Sequence, residues 1–156
     1  MLLATWWWRD DHPLVGHPAP AFELIDAMTT EPVRLQDYRG KMVLIEFWST
    51  WCPHCVEMLA SLDQLQRDPL LADKVVILTI NVREKKRRRK RRVARFLKKR
   101  NYRFAALLGD RSIMKRYGGV ARIPALFVVG ASGKIRRVKI GSLSEDEVRK
   151  IVSSAM

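Results

Sequence analysis

The chain has only two cysteines in 156 residues, Cys52 and Cys55, too few for the disulfide framework that holds small secreted domains together. Any disulfide within the chain joins these two. So short a loop does little to stabilise a fold, because cross-links act mainly by constraining long segments, so the value of the pair is chemical. Long apolar runs are missing as well. Met1-Leu-Leu-Ala-Thr-Trp-Trp-Trp8 is followed at once by Arg9, Asp10 and Asp11. A secretory signal needs a basic start and a small-residue cleavage site, and a membrane span needs about 20 apolar residues. Residues 1–15 therefore read as a tail, either on a cytosolic protein or left where a leader or anchor has been removed. The three tryptophans pack locally or are the interfacial remnant of such an anchor. There is no internal repeat.

Acids are scarce in one place. The chain carries 30 Lys and Arg against 16 Asp and Glu, a net of +14, and residues 83–103 hold 14 of the cations with a single acid, Glu84. The rest of the chain is left with a net of +1, so one segment carries the basic character. Eight cations are consecutive: Lys85, Lys86, Arg87, Arg88, Arg89, Lys90, Arg91 and Arg92. A solvated helix face explains scattered charges better than a solid run, since like neighbours repel and cations at a helix start oppose its dipole. The run is expected to be a solvated surface that frays, or to be held by an anionic partner, either an anionic membrane surface or an acidic protein. Charge alone would also admit nucleic acid, but no recognition fold or aromatic interleaving supports it.

What is present suffices for one domain with a sizeable core, since 47% of the residues are hydrophobic. Prolines and a glycine mark an extended opening at residues 12–20. Residues 22–26 and 33–35 read as the arms of a short hairpin, and residues 36–41 as a loop. Met42–Trp48 is apolar except for Glu46, the pattern of a strand covered on both faces. A helix follows the cysteines and ends near Asp68-Pro69. Residues 74–82 form the next strand, and the basic segment reads as a helix because Val93, Phe96 and Leu97 share a face. Short strand and helix patterns at 104–108 and 110–117 precede a hairpin at 125–140, and Ser144 with Glu147 is a capping box opening the last helix. The alternation predicts an α/β layer architecture, a mixed central sheet with helices on both faces.

Cys52 and Cys55 stand where a buried strand hands over to a helix, with Pro53 suited to the helix's first turn. The positive end of the helix dipole and its free amides favour a thiolate at Cys52. Cys55, nearly a turn further in, suits the resolving role. Cys52 would attack a disulfide and Cys55 release the mixed disulfide, or the reverse. His54 can direct a hydrogen bond or positive charge at the Cys52 sulfur, which would make the pair more oxidising; otherwise it is a solvent-facing turn residue. Glu46 is the one acid inside an apolar strand, where burial is costly without a purpose. Zinc held by Cys52, Cys55 and a histidine is disfavoured, because His12 and His17 lie in the opening segment and no second CxxC exists.

Glu46-Phe-Trp-Ser-Thr-Trp-Cys-Pro-His-Cys55, with Ile123-Pro124 opening a hairpin strand, resembles the thioredoxin superfamily. Gly16-His-Pro-Ala-Pro-Ala-Phe-Glu-Leu24 and Leu35-Gln-Asp-Tyr-Arg-Gly-Lys41 are similar to its TlpA and ResA branch of membrane-associated thiol-disulfide oxidoreductases. The resemblance covers residues 16–156. It implies a thioredoxin-like fold with an extra amino-terminal β-hairpin, a redox-active Cys52-Cys55 disulfide with no other cofactor, and a cell-envelope location. It implies protein thiols or disulfides as substrates, a second redox partner that regenerates the pair, and action as a monomer. Glu46 takes the place of the family's buried acid and would accept the Cys55 proton. Pro124 would follow a cis peptide that sets the Ile123 backbone beside Cys52, and Trp51 would add to the surface that meets a partner. Two features pull apart. The Pro53-His54 pair between the cysteines is that of DsbA-type oxidants, whereas the frame resembles reductants. ResA-like members carry a glutamate where this chain has Met58. The context of Thr50-Trp-Cys52 lacks the spacing of a peroxiredoxin motif. A reading from another class makes the chain a non-catalytic binding module in which the basic segment 83–103 docks on an anionic membrane or acidic partner.

Overall fold

The structure is a computed structural model and describes residues 11–156; the tryptophans at 6–8, read above as a packing element or anchor remnant, lie outside them. In chain order the elements are β1 (Glu23–Ile25), β2 (Pro32–Arg34), a 3-10 turn (Leu35–Tyr38), β3 (Met42–Trp48), α1 (Pro53–Arg67), β4 (Val75–Asn81), α2 (Arg89–Arg100), β5 (Ala105–Leu108), α3 (Arg111–Arg116), β6 (Ala125–Val129), β7 (Ile135–Ile140) and α4 (Glu145–Ala155).

Five strands make one sheet in the order β5-β4-β3-β6-β7, and β1 and β2 form a separate antiparallel hairpin. β3 lies in the middle, parallel to β4 and antiparallel to β6, and every one of its residues is buried. Its side chains alternate between two cores, as strand geometry requires. Met42, Leu44 and Trp48 face a cluster built with α1, α2 and α4, while Val43, Ile45 and Phe47 face one that includes Ile113 of α3, Tyr117 and the hairpin residues Phe22 and Leu35. The α/β layering is thus as the sequence pattern implies, and the thioredoxin-like fold with its amino-terminal hairpin is as the resemblance implies.

Residues 16–27 close parts of both sheet edges. Gly16 and Ala19 donate amides to the carbonyls of Ile135 and Gly133, and Ile135 donates to His17. On the far side Asp26 bridges Leu107, and the Ala27 amide donates to Ala106 on β5. Before them Leu14 and Val15 pack against the second core and the His12 ring meets Phe127 edge-on at 5.5 Å.

Two expectations change. The stretch 36–41 is not wholly loop, since Leu35–Tyr38 winds into the 3-10 turn. The basic segment is helical only from Arg89 onward. Arg83 and Arg88 take left-handed backbone angles, φ 53° and 56°, the Glu84 side chain is drawn inward, and the cations of residues 85–88 repel one another against any helix start. Where α2 does form, Val93 and Leu97 are buried, and Phe96 packs on Trp48 with ring centroids 5.1 Å apart.

Tyr117 ties the second core to the opening segment. Fully buried, it packs among Phe22, Phe47 and Phe127, and its hydroxyl donates to the Pro20 carbonyl at 2.8 Å. Tyr117→Phe keeps the ring and leaves that carbonyl without its donor, so unfolding by urea should show a loss of about 1 kcal/mol. An unchanged midpoint and slope would mean that the hydroxyl contributes nothing.

Candidate active site

β3 delivers its carboxyl end into a short loop that the rest of the chain holds still. Trp48 passes its carbonyl to the amide of Val82 at 2.8 Å, and the buried Ser49 hydroxyl donates to the Val82 carbonyl. Three residues later Cys52 is the N-cap of α1, with extended backbone and Pro53 in the first turn. The Cys55 amide donates to the Cys52 sulfur at 3.2 Å. A side-chain acceptor is what a helix start requires; here that acceptor is the reactive sulfur, so the stabilisation of the helix end and of a thiolate coincide. Cys52 and Cys55 are joined as a disulfide. Cys52 keeps 6% exposure and Cys55 none, an asymmetry that lets a partner reach the first sulfur and not the second. Among the described residues no cluster of three or more His, Cys, Asp or Glu could hold a metal.

The loop before β6 meets the disulfide from the other side. The Ile123–Pro124 peptide is cis, and the Ile123 carbonyl oxygen lies 3.9 Å from the Cys52 sulfur. Trp51 is 60% exposed beside it, its indole nitrogen donating to the Arg83 carbonyl at 2.9 Å. The structure therefore brings Trp51, Cys52, Pro53, Cys55, Ile123 and Pro124 into one place. His54 is directed elsewhere: its Nδ1 is 3.3 Å from Glu57 Oε2, on an exposed side of α1. Glu57 also takes a hydrogen bond from Ser142.

Glu46 lies on the face of β3 shared by Leu44 and Trp48, which packs in the same cluster as Cys55 and Met58. It is fully buried, and neither carboxyl oxygen has a hydrogen-bond partner among the described residues; the same is true of the Trp48 indole nitrogen. Desolvation pushes the Glu46 carboxyl well above its ordinary 4.5 and favours its protonated form.

Sequence reasoning counted Glu84 among the charges and missed what it does. Its carboxylate, almost wholly buried, accepts the Thr50 amide at 2.5 Å and the Asn81 side-chain amide at 3.1 Å, and pairs with Arg92 at 3.3 Å. Burial pushes the group up, but those hydrogen bonds and the Arg92 charge outweigh it and hold the carboxyl below its ordinary value. Its neighbour Arg83 accepts the Trp51 indole through its carbonyl and donates its guanidinium to the carbonyls of Val120 and Ala121, at 2.6 and 3.2 Å. Val120 has φ 41°, a conformation that costs a β-branched residue of order 1–3 kcal/mol and persists where neighbours over-determine it. Arg83 and Glu84 thus clip the cysteine loop to the proline loop. The visible signal was a lone acid directly after a buried strand, in a segment otherwise of cations.

The chain matches the AhpC/TSA family over residues 15–138. It is 30% identical over 141 residues to the thiol-disulfide oxidoreductase ResA of Geobacillus thermodenitrificans, covering 90% of this chain and 77% of that protein. Against ResA of Bacillus subtilis it is 30% identical over 134 residues, covering 85% and 71%. Two solved structures are similar at 25% identity. A thioredoxin-family thiol:disulfide interchange protein from Chlorobium tepidum has a TM-score of 0.78, covering 88% of this chain and 94% of its own. A secreted disulfide oxidoreductase of Mycobacterium tuberculosis, homologous to Escherichia coli DsbE, has a TM-score of 0.71, covering 85% and 95%.

The two buried glutamates give stability opposite pH dependences. Unfolded Glu46 ionises near 4.5 while the folded group holds its proton, so stability is full below that pH and falls as pH rises through the raised value. Folded Glu84 is depressed, so its contribution is present above 4.5 and is lost as pH falls through the lowered value. In urea titrations across pH, Glu46→Gln should flatten the decline on the alkaline side, and Glu84→Gln should lower stability at neutral pH by about 2 kcal/mol with less loss on acidification. Parallel pH profiles for both variants and the parent would contradict the assignment.

Proposed function

Since the chain belongs to the AhpC/TSA family and is a thiol-disulfide oxidoreductase of the ResA-like kind, we propose that it passes electrons from a regenerating dithiol to partner-protein disulfides, with Glu46 moving the proton of Cys55. The observation that carries this reading is the placement of the two sulfurs. One caps a helix start within reach of a partner, and the other is sealed in the cluster on the face of β3 that also carries the buried Glu46, whose carboxyl desolvation pushes up.

Regeneration begins from the disulfide. A partner thiolate attacks the Cys52 sulfur and forms a new S–S bond, the Cys52–Cys55 bond breaks, and the Cys55 sulfur leaves with the electron pair. The Glu46 carboxyl gives that thiolate its proton. A second partner thiolate then attacks the partner's own sulfur in the mixed disulfide, leaving the partner oxidised and Cys52 as a thiolate stabilised by the Cys55 amide and the end of α1. In the forward half Cys52 attacks a substrate disulfide and expels one substrate thiolate. Cys55 returns its proton to the Glu46 carboxylate and attacks Cys52, which closes the disulfide and releases the reduced substrate. Only cysteine sulfur carries electrons in this cycle, which needs no other cofactor. The Ile123 backbone, beside the Cys52 sulfur, offers an extended substrate segment a carbonyl to pair with, and the exposed Trp51 offers it apolar area.

The electron-donor direction is supported by His54. Held toward the Glu57 carboxylate, the ring is directed away from the Cys52 sulfur, so the oxidising influence of the Pro53-His54 pair is weakened. A place outside the cytoplasm belongs to the same proposal, supported by the secreted Mycobacterium tuberculosis relative.

Three measurements test it. Cys55→Ala should accumulate mixed disulfides through Cys52 with partner proteins, and their absence would contradict the order of attack. Glu46→Gln should slow release of the mixed disulfide by about 10²-fold while the first attack keeps its rate; equal slowing of both steps would remove Glu46 from proton transfer. The potential of the pair should lie near the roughly −270 mV of thioredoxin and not near the roughly −120 mV of DsbA; the latter value would reverse the direction.

A further inference from the structure

The eight consecutive cations are not used up by the fold. Arg89 and Arg92 turn inward, Arg89 onto Asn81 and Arg92 onto Glu84. Lys85, Lys86, Arg87, Arg88, Lys90 and Arg91 remain exposed. The single acid of the segment is buried under Thr50, Asn81 and Arg92 and screens none of the six. α2 starts on this charge with no side-chain cap and no acid in its first turn, the arrangement in which the helix dipole opposes its own residues. The run therefore costs the isolated domain stability, and the compensation must lie outside it.

Its location says what supplies that compensation. Arg83 and Glu84 fasten the start of the run to Trp51 and Thr50, and through the Arg83 guanidinium to the carbonyls of Val120 and Ala121 just ahead of Ile123. Arg122, also exposed, adds a cation on the proline side. The positive surface is thus continuous with the rim of the reactive sulfur. A bilayer lying along that rim would cover the approach to Cys52, whereas a protein that brings its own disulfide to Cys52 would meet the cations in the same encounter.

We propose that the exposed cations of residues 85–91 are the docking surface for an acidic segment of the substrate protein, adjoining the disulfide that Cys52 attacks. The proposal rests on the exchange reading above and gives that site its substrate class: disulfides flanked by Asp and Glu. Outside residues 83–103 the chain is nearly neutral, so the attraction comes from one side and orients the encounter. It acts mainly on association and weakens as salt screens it.

The test uses the reduced full chain and two cystine peptides of equal length, one flanked by glutamates and one by glutamines, with cysteine-free versions for binding. At low salt the glutamate peptide should be exchanged roughly tenfold faster or more, the advantage should shrink with added salt, and the cysteine-free glutamate peptide should bind. Replacing Lys85, Lys86, Arg87, Arg88, Lys90 and Arg91 by Gln should bring the ratio of the two rates close to one. Equal rates for the two peptides in the parent chain, or a preference that survives the six substitutions, would overturn the proposal. So would anionic phosphatidylglycerol vesicles or duplex DNA binding through these cations when the acidic peptide does not. If the glutamate peptide binds through the cations and neither peptide is exchanged, the docking surface stands and the exchange reading falls.

Discussion

β3 cannot move. It is hydrogen-bonded along both edges and buried on both faces, so displacing it would break the two cores at once. Everything reactive hangs from its carboxyl end. Trp48 and Ser49 are pinned to the chain after β4, and Cys52 starts a helix three residues later. Elements of this kind open only with global unfolding, which suits a site whose chemistry depends on one sulfur being reachable and its neighbour sealed.

Two glutamates show how local donors decide the fate of a buried acid. Glu46 has lost water and has no hydrogen-bond partner among the described residues, and its carboxyl is pushed well above its ordinary value. Glu84 has lost most of its water but gained two amide donors and a guanidinium, and it stays ionised. The first acid is left with a carboxyl that favours its protonated form; the second is a fixed anion that binds two loops. Neither role follows from residue type, and both follow from counting donors.

The sequence was most legible where the signals are local. The strands Ala125–Val129 and Ile135–Ile140, the Ser144 capping box and the Pro53 start of α1 depend on alternation, caps and proline, all written within a few residues. Hairpin ends were less legible, because Asp26 leaves its partner strand to bridge β5. Residues 83–88 carry helix formers, yet contacts with Thr50, Trp51, Val120 and Ala121, more than 30 positions away, override that propensity. The same distance hid the clip, and a three-residue spacing that reads equally well as solvent-facing hid the approach of His54 to Glu57.

The stretch 16–27 closes parts of the two sheet edges. An unclosed edge is a template on which any extended chain, including a second copy of the protein, can add itself as a strand. With one margin of β5 and the start of β7 already taken, and with Arg136, Arg137 and Lys139 strung along the rest of β7, the sheet discourages adhesion. Visiting chains are left the Ile123 carbonyl beside the sulfur, where a bound segment is let go once its disulfide has been exchanged. The amino-terminal stretch thus keeps the sheet from becoming a seed on which extended chains collect.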